Sequence, residues 1–531
     1  MKVVVAEKVS SAGLELLKAE QWEVVQPAGK DELYAALADA EALIVRSAVK
    51  VNAELLSRAP ALRVVGRAGV GVDNVDLEAA TRQGVLVMNT PGGNAVSVAE
   101  HTLALMLAMA RAIPQANQSI KEGRWEKKQF MGRELRQKTL GIIGLGRIGV
   151  EVSKRARALD MMVLAHDPYV TPVVAGEAGA ELVGRERLLQ ESDYISLHVS
   201  LTPETAGMID AAAIAKMKPG VRIINCSRGE LIEEAALAEA IRAGQVAGAA
   251  LDVFAKEPPP PGHPLATLPQ VLATPHIAGS TEEAQEIVGS RIAEQIREYL
   301  KSGLIINAVN VPAPSPEEYR NLKPYLQLGE RLGAFTAQIA QGHLRAVHIG
   351  YSGKLAQMNT NLLRNSALQG ILNRVLDEKA NMVNAAAIAA DRGIAVEESR
   401  GPRTGFADSI LVTMTTDAGC TSAEGMVLHG RFPRLLAVDG IHIEAPLAGN
   451  LVFFKNQDVP GVIGRIGTLL GQHKVNIANF SLGRAEAAPA GGGPAEALAV
   501  VHYDGPRVSD SLLQELSQSE AVRFVRAVDI G

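Results

Sequence analysis

For the first 280 positions, apolar residues fall into short unbroken runs separated by amphipathic stretches. Up to about residue 95, KVVVAE, ALIVRS, RVVGRAG and VLVMNT read as buried strands, with DELYAALADA and LEAATRQG as helices between them. Such alternation predicts a parallel sheet wound by helices. SVAEHTLALMLAMARAI then reads as one long apolar helix that Pro114 brings near its end. A second strand–helix series starts at Thr139 with TLGIIG and runs through MVLAHD, YISLHV, RIINCS, AGAALDV and VLATPH. Its strands are apolar throughout, as expected where both sheet faces are covered.

Beyond residue 280 the pattern changes. Residues 281–301 predict a charged amphipathic helix, after which INAVNVP leads into APSPEEYRNLKP, whose prolines read as a linker. The stretch from about 317 to 446 mixes helical and strand-like runs without a chemical motif and predicts a separate α+β domain. From Asn450, LVFFKNQDVPG, VIGRIGTLLGQH and KVNIANFSLGR predict strand, helix and strand. Residues 485–496, AEAAPAGGGPAE, read as a low-complexity hairpin loop.

Length and composition narrow the classes. A chain of 531 residues exceeds one hydrophobic core and implies three or four domains. Net charge is −5 with no Lys/Arg block, which argues against nucleic acid as the main partner. The longest apolar stretch, Thr102–Ala110, is too short to span a bilayer, and Met1 runs straight into a strand-like segment without signal-peptide features. Cys226 and Cys420 are the only cysteines, so no disulfide framework is expected and a reducing cytoplasm is. No metal site is expected.

The strongest chemical signal is GIIGLGRIG at 141–149. Gly144, Gly146 and Gly149 form G-x-G-x-x-G after a predicted strand and at the start of a helix. The first glycine permits the tight turn, the second admits a pyrophosphate and the third lets helix and strand pack closely. Asp167 ends the next strand, where its carboxylate suits a ribose 2′-hydroxyl and repels a 2′-phosphate, which favours NAD over NADP.

Three polar residues follow later strands of the same series: Arg228 after RIINCS, Glu257 after LDVFAK and His276 after VLATP. Each alone reads as a packing, turn or surface residue. Together, beside a dinucleotide site, they match the needs of hydride removal from a 2-hydroxy acid. A base takes the hydroxyl proton, a carboxylate orients that base and stabilises its protonated form, and a guanidinium clamps the substrate carboxylate.

The runs GRAGVGVDNVD (66–76), NTPGGNAVSVAEHT (89–102), GLGRIG, NCSRGELI (225–232), ALDVFAKEP (250–258) and TPHIAGST (274–281) resemble the D-isomer-specific 2-hydroxyacid dehydrogenases. The resemblance covers roughly residues 1–310, and the extra C-terminal segments are similar to the long form of that family. It implies an α/β fold with a Rossmann NAD-binding domain (97–276) inserted in a flavodoxin-like substrate domain (1–96 and 277–305). An intervening α+β domain (312–446) and a ferredoxin-like ACT domain (449–531) would follow. The implied catalytic group is Arg228, Glu257 and His276, with NAD held by Gly144, Gly146, Arg147, Ile148, Gly149, Asp167, His198, Ser227 and Asp252. Substrate anions would be held by residues matching Arg46, Arg67, Gly69, Val70 and Asn94; relatives carry a threonine where this chain has Val70.

Long-form relatives imply 3-phosphoglycerate as substrate and L-serine as effector, bound by Asn456, Asp458 and Asn476 between ACT domains of paired chains. Homotetrameric assembly is implied too, and Lys127 and Lys128 after Trp125 resemble a loop that reaches a neighbouring subunit. His101 reads as an interdomain packing residue and Cys226 as a small buried thiol. The rival expectations are a glyoxylate or hydroxypyruvate reductase and a non-catalytic NAD-sensing regulator.

Overall fold

The computed structural model describes residues 1–401, 408–485 and 495–531. Four sheets follow one another along the chain. The first is parallel, in the order Glu23–Val25, Lys2–Val5, Ala42–Val45, Val64–Arg67, Leu86–Met88. That is the flavodoxin-like order 2-1-3-4-5. Its edge strand, Glu23–Val25, is three residues long and incompletely buried, which is why no apolar run announces it.

The second sheet is also parallel, with seven strands. Thr139–Ile143 lies between Tyr194–Leu197 and Met162–His166; Val221–Asn225, Val246–Leu251 and Val271–Ala273 extend one side, and Glu181–Leu182 the other. Relabelled from Thr139, the order is the Rossmann 3-2-1-4-5-6 with one added strand. The helix after the first sheet differs from expectation. Ala95–Ala110 ends before Pro114, and Ile113–Lys121 starts anew at an angle of 63°. Proline suits the first turn of a helix, where its missing N–H costs nothing, so Pro114 opens the second helix instead of closing the first. Among the described residues no single helix is long and apolar enough to cross a membrane.

Glu282–Ser302 carries the chain back to the first sheet. Thr281 caps it by accepting from Ala284 N, Glu282 and Glu283 sit in its positive first turn, and Gly303 ends it at φ 76°. Ile292 and Ile296 lie so close over Gly66 that a Cβ there would come within 2.6 Å of both. Residues 316–324 are helical, contrary to their reading as a linker. Ser315 and Glu318 form a capping box and Pro316 fills the first turn, so Pro316–Ile339 runs as one helix despite Pro324.

That helix and Asn361–Val375 pack at close range through Gly333 and Gly370 against a six-stranded sheet. The sheet is antiparallel except where Leu344–Gly353 pairs in parallel with Ala395–Arg400. The last sheet, in the order Asn476–Arg484, Glu496–Asp504, Asn450–Gln457, Val522–Asp529, is antiparallel, and with helices Val462–Gln472 and Asp510–Ser517 makes a ferredoxin-like βαββαβ unit. Phe453 on its far face meets Phe335 edge-on at 5.8 Å, joining the two C-terminal units through one apolar core. The low-complexity segment read as a hairpin loop lies, at 486–494, outside the described residues.

Candidate active site

Every cleft residue singled out from the first 280 positions sits at or just past the carboxyl end of a parallel strand or in the turn that follows, the side where open α/β sheets hold ligands. In the Rossmann sheet, Gly144 has φ 94°, and a Cβ there would press on the His198 carbonyl at 2.5 Å. A side chain on Gly149 would strike the Gly144 carbonyl, while Gly146 faces open space. Two glycines therefore build the turn and one leaves room in front of it. Asp167 braces the turn, accepting from Leu145 N and Tyr169 N, both at 2.9 Å. Helix Arg147–Ala158 starts there, with its free N–H groups toward the space before Gly146. Ile148 packs toward the core, and the Arg147 side chain crosses to the Gly92 turn of the other sheet.

His198 accompanies Gly144 at the point where strand order reverses. Its Nε2 meets Ser196 Oγ at 2.8 Å, its Nδ1 is buried without a partner, and burial pushes its pKa down to about 4, so the ring is neutral. A glycine cradle, a braced carboxylate and an unpartnered ring nitrogen fit a dinucleotide. Two residues expected beside it also hold the scaffold. Ser227 Oγ donates to Leu197 O at 2.7 Å. Asp252 is buried, accepting from Thr274 Oγ1 (2.5 Å), Ile277 N (2.9 Å) and Ala278 N (2.8 Å), with His101 Nε2 at 3.4 Å. Burial raises this carboxyl, but the donors from His101, Thr274 and the two amides outweigh it and hold it below the usual range. Asp252 thus folds the 274–278 turn that carries His276.

His276 sits in that turn at φ 52°, with its N–H on Asp252 O at 2.8 Å. Its Nδ1 lies 2.7 Å from Glu257 Oε2, and Glu257 Oε1 accepts from Phe254 N at 3.1 Å. Gly229, next to Arg228, abuts Phe254 so closely that any Cβ would collide with its carbonyl carbon. The loops bearing Arg228 and Glu257 are therefore in direct contact.

The first sheet contributes the anion-binding candidates. Arg46 and Arg67 stand at adjacent strand ends. Glu7 braces the loop after Arg46 by accepting from the N–H groups of Arg46, Ala48 and Val49 at 2.7–3.1 Å. Arg67 Nε is buried without a partner; burial first, then the nearby Arg228, lowers its pKa. The carbonyls of Gly69 and Val70 are held by Thr90 and Asn89. Asn94 opens helix Ala95–Ala110 without capping it, and its Oδ1 is buried without a partner. Sequence reasoning missed Glu7, Asp73, Thr274 and Gly229. For Asp73 a signal existed, an acid inside the glycine-rich GVGVDNVD; Glu7 and Thr274 act through partners remote in sequence. Cys226 is buried, its thiol pushed up to about 12 by burial.

In the C-terminal unit, Asn456 is buried with Oδ1 unpartnered, and Asp458 pairs with Arg484 at 3.3 Å. Asn476 lies at the other end of the sheet. It is opposite Asp504, whereas Asn456 is opposite Ala497 on the same central strand. One chain does not bring the three together.

A Rossmann sheet with a glycine turn, inserted beside a flavodoxin-like sheet and ending in a His–Glu pair, defines an NAD-dependent 2-hydroxyacid dehydrogenase. Residues 103–278 match the family described as D-isomer specific 2-hydroxyacid dehydrogenase, NAD binding domain, and 321–439 match the D-3-phosphoglycerate dehydrogenase intervening domain. The chain is 44% identical over 493 residues to a D-3-phosphoglycerate dehydrogenase of Archaeoglobus fulgidus, covering 92% of this chain and 94% of that protein. A relative of the same name from Synechocystis is 41% identical over 532 residues, covering 100% of this chain and 95% of that one. Among solved structures, an NAD-dependent formate dehydrogenase from Staphylococcus aureus in complex with NAD superposes with a TM-score of 0.52 at 29% identity, over 59% of this chain and 100% of that one. This chain belongs to the D-3-phosphoglycerate dehydrogenase family.

Proposed function

We propose that this enzyme oxidises 3-phospho-D-glycerate to 3-phosphohydroxypyruvate, the first step of L-serine synthesis, and that L-serine regulates it through a C-terminal ACT domain. The observation that carries the reading is the gathering of Arg46, Arg67 and Arg228, with Arg67 Nε buried and unpartnered. Asp73 answers part of this positive charge through Arg228, while the buried Arg67 N–H without an acceptor leaves the group favourable to a further anion. A substrate with a phosphate at one end and a carboxylate at the other supplies two.

In this reading residues 1–96 and 277–305 bind substrate, 97–276 bind NAD, 312–446 intervene and 449–531 regulate. Arg46, Arg67, Asn94 and the Gly69–Val70 backbone hold the anionic groups, so loss of a threonine hydroxyl at Val70 matters little where main-chain N–H groups do the binding. Arg228 clamps the carboxylate beside C2. With Glu257 ionised, His276 Nδ1 carries the proton bonded to Oε2, and the Nε2 lone pair takes the C2 hydroxyl proton. Bound NAD supplies the hydride acceptor. Gly144, Gly146, Arg147, Ile148 and Gly149 hold its phosphates through main chain and helix terminus, Asp167 its ribose, and His198 flanks it; Ser227 and Asp252 fix the strand ends behind it.

The exposed Trp125 (84%) and Met131 (91%) lie beside Lys127 and Lys128 in a loop suited to a second copy. A homotetramer follows if the ACT units pair as well, because Asn476 can then complete the Asn456–Asp458 site from another chain. The deciding experiment follows NADH absorbance with 3-phosphohydroxypyruvate, glyoxylate and hydroxypyruvate, with and without L-serine. Turnover confined to the phosphorylated acid supports the reading; preference for the unphosphorylated acids moves the enzyme to the reductases, and no turnover of any favours a regulator.

A further inference from the structure

Arg228 makes its strongest contact with the other sheet. Its Nε and Nη2 both donate to Asp73 Oδ2, at 3.1 and 2.8 Å, and its Nη1 turns back to Ser227 O at 2.6 Å. A guanidinium carries five N–H groups in one rigid plane. These contacts use three, leaving one on Nη1 and one on Nη2. With Nη1 turned back to the carbonyl of the residue before it, the free pair corresponds to the end-on fork, the arrangement that grips a carboxylate with two parallel hydrogen bonds.

Asp73 is exposed, and an ordinary exposed ion pair is worth little. The loop on either side of it, however, is pinned. Asn74 Nδ2 donates to Arg46 O and Val49 O at 2.9 and 2.7 Å, and Asn89 Nδ2 to Val70 O at 2.5 Å. Gly71 lets the loop lie flat on the guanidinium, since a Cβ there would collide with Arg228 Nη2. Partial desolvation raises the Asp73 carboxyl, but the hydrogen bonds and charge of Arg228, with Arg67 behind, hold it below the usual range, so it stays ionised.

We propose that Asp73 is a positioning residue: it fixes the rotation of the Arg228 guanidinium across the junction of the two sheets and aims the Nη1–Nη2 fork at the substrate carboxylate. The inference rests on the reading of Arg228 as the carboxylate clamp. An acid that does not itself touch substrate then sets how well the enzyme recognises acids.

The test compares Asp73→Asn, Asp73→Glu, Arg228→Lys and the double variant Asp73→Asn/Arg228→Lys as full-length enzymes. Measured are KM and kcat for 3-phosphohydroxypyruvate, NADH affinity by fluorescence, and Tm. Asp73→Asn keeps a neutral acceptor but loses the charge, and KM is expected to rise about tenfold with kcat changed less than about threefold. NADH affinity and Tm stay unchanged, and Asp73→Glu recovers part of the loss. In the Arg228→Lys background, which has no planar fork to aim, Asp73→Asn adds less than about twofold. Unchanged KM in Asp73→Asn, or a full tenfold effect in the Lys background, overturns the inference while leaving the clamp intact. A lower KM overturns it too, because Asp73 would then be competing with substrate for the guanidinium. Unchanged KM in Arg228→Lys overturns the clamp itself, and the inference with it.

Discussion

The junction of the two parallel sheets and the C-terminal antiparallel sheet hold their candidate residues in opposite ways. At the junction, residues from positions 46 to 276 meet, because each follows a strand and parallel strands all end on one side. In the C-terminal unit, Asn456 closes its strand and Asn476 opens the next, and a strand–helix–strand crossover carries the chain from one end of the sheet back to the other. Residues far apart in sequence therefore converge within one chain in the first arrangement. In the second, two residues close in sequence are held at opposite ends of one sheet.

The sharpest break of that comparison is at the junction. His276→Asn is expected to lower kcat by about 10³–10⁴-fold with NAD affinity retained, measured by NADH absorbance and fluorescence titration. Loss of less than tenfold would remove His276 from the chemistry. Gly144→Ala combines a φ of 94° with a clash on the His198 carbonyl, and is expected to cost about 2–4 kcal/mol of stability and most NAD binding, read by denaturant unfolding and titration.

The C-terminal side is tested by complementation. Asn456→Ala and Asn476→Ala are each expected to abolish the response to L-serine without altering basal turnover. Mixed and reassembled at random, they regain about a quarter of it, since half the pairs are mixed and each mixed pair leaves one of its two sites wholly wild type. No recovery would place both residues' effects within a single chain.

The smallest effect concerns His198, whose pKa falls from 6.5 to about 4 on folding. Below pH 6.5 the unfolded chain binds a proton that the folded chain refuses until near pH 4, so stability declines as pH falls through that window. The contribution is roughly 3 kcal/mol, and His198→Gln should reduce the slope of the unfolding free energy between those pH values.

The two arrangements also explain what could be read from sequence. The glycine turn, Asp167, Arg228, Glu257 and His276 were legible because apolar runs mark parallel strands and polar residues at their ends stand out. For Ser227 and Asp252 only packing shows that their side chains also bond Leu197 O and the His276 turn. Residues 316–324 misled because proline in a polar stretch resembles a linker, while the Ser315–Glu318 box that overrides it is a local signal of equal strength pointing the other way.

The return of Glu282–Ser302 to the first sheet sets an order of assembly. The strands of that sheet cannot cover their Val3, Ile44 and Gly66 face until some 230 further residues have been made, because Ile292 and Ile296 belong to that cover. The inserted Rossmann unit, contiguous in sequence, can fold in the interval. The first sheet is therefore made well before it can be finished, and in the interval it keeps an apolar face uncovered.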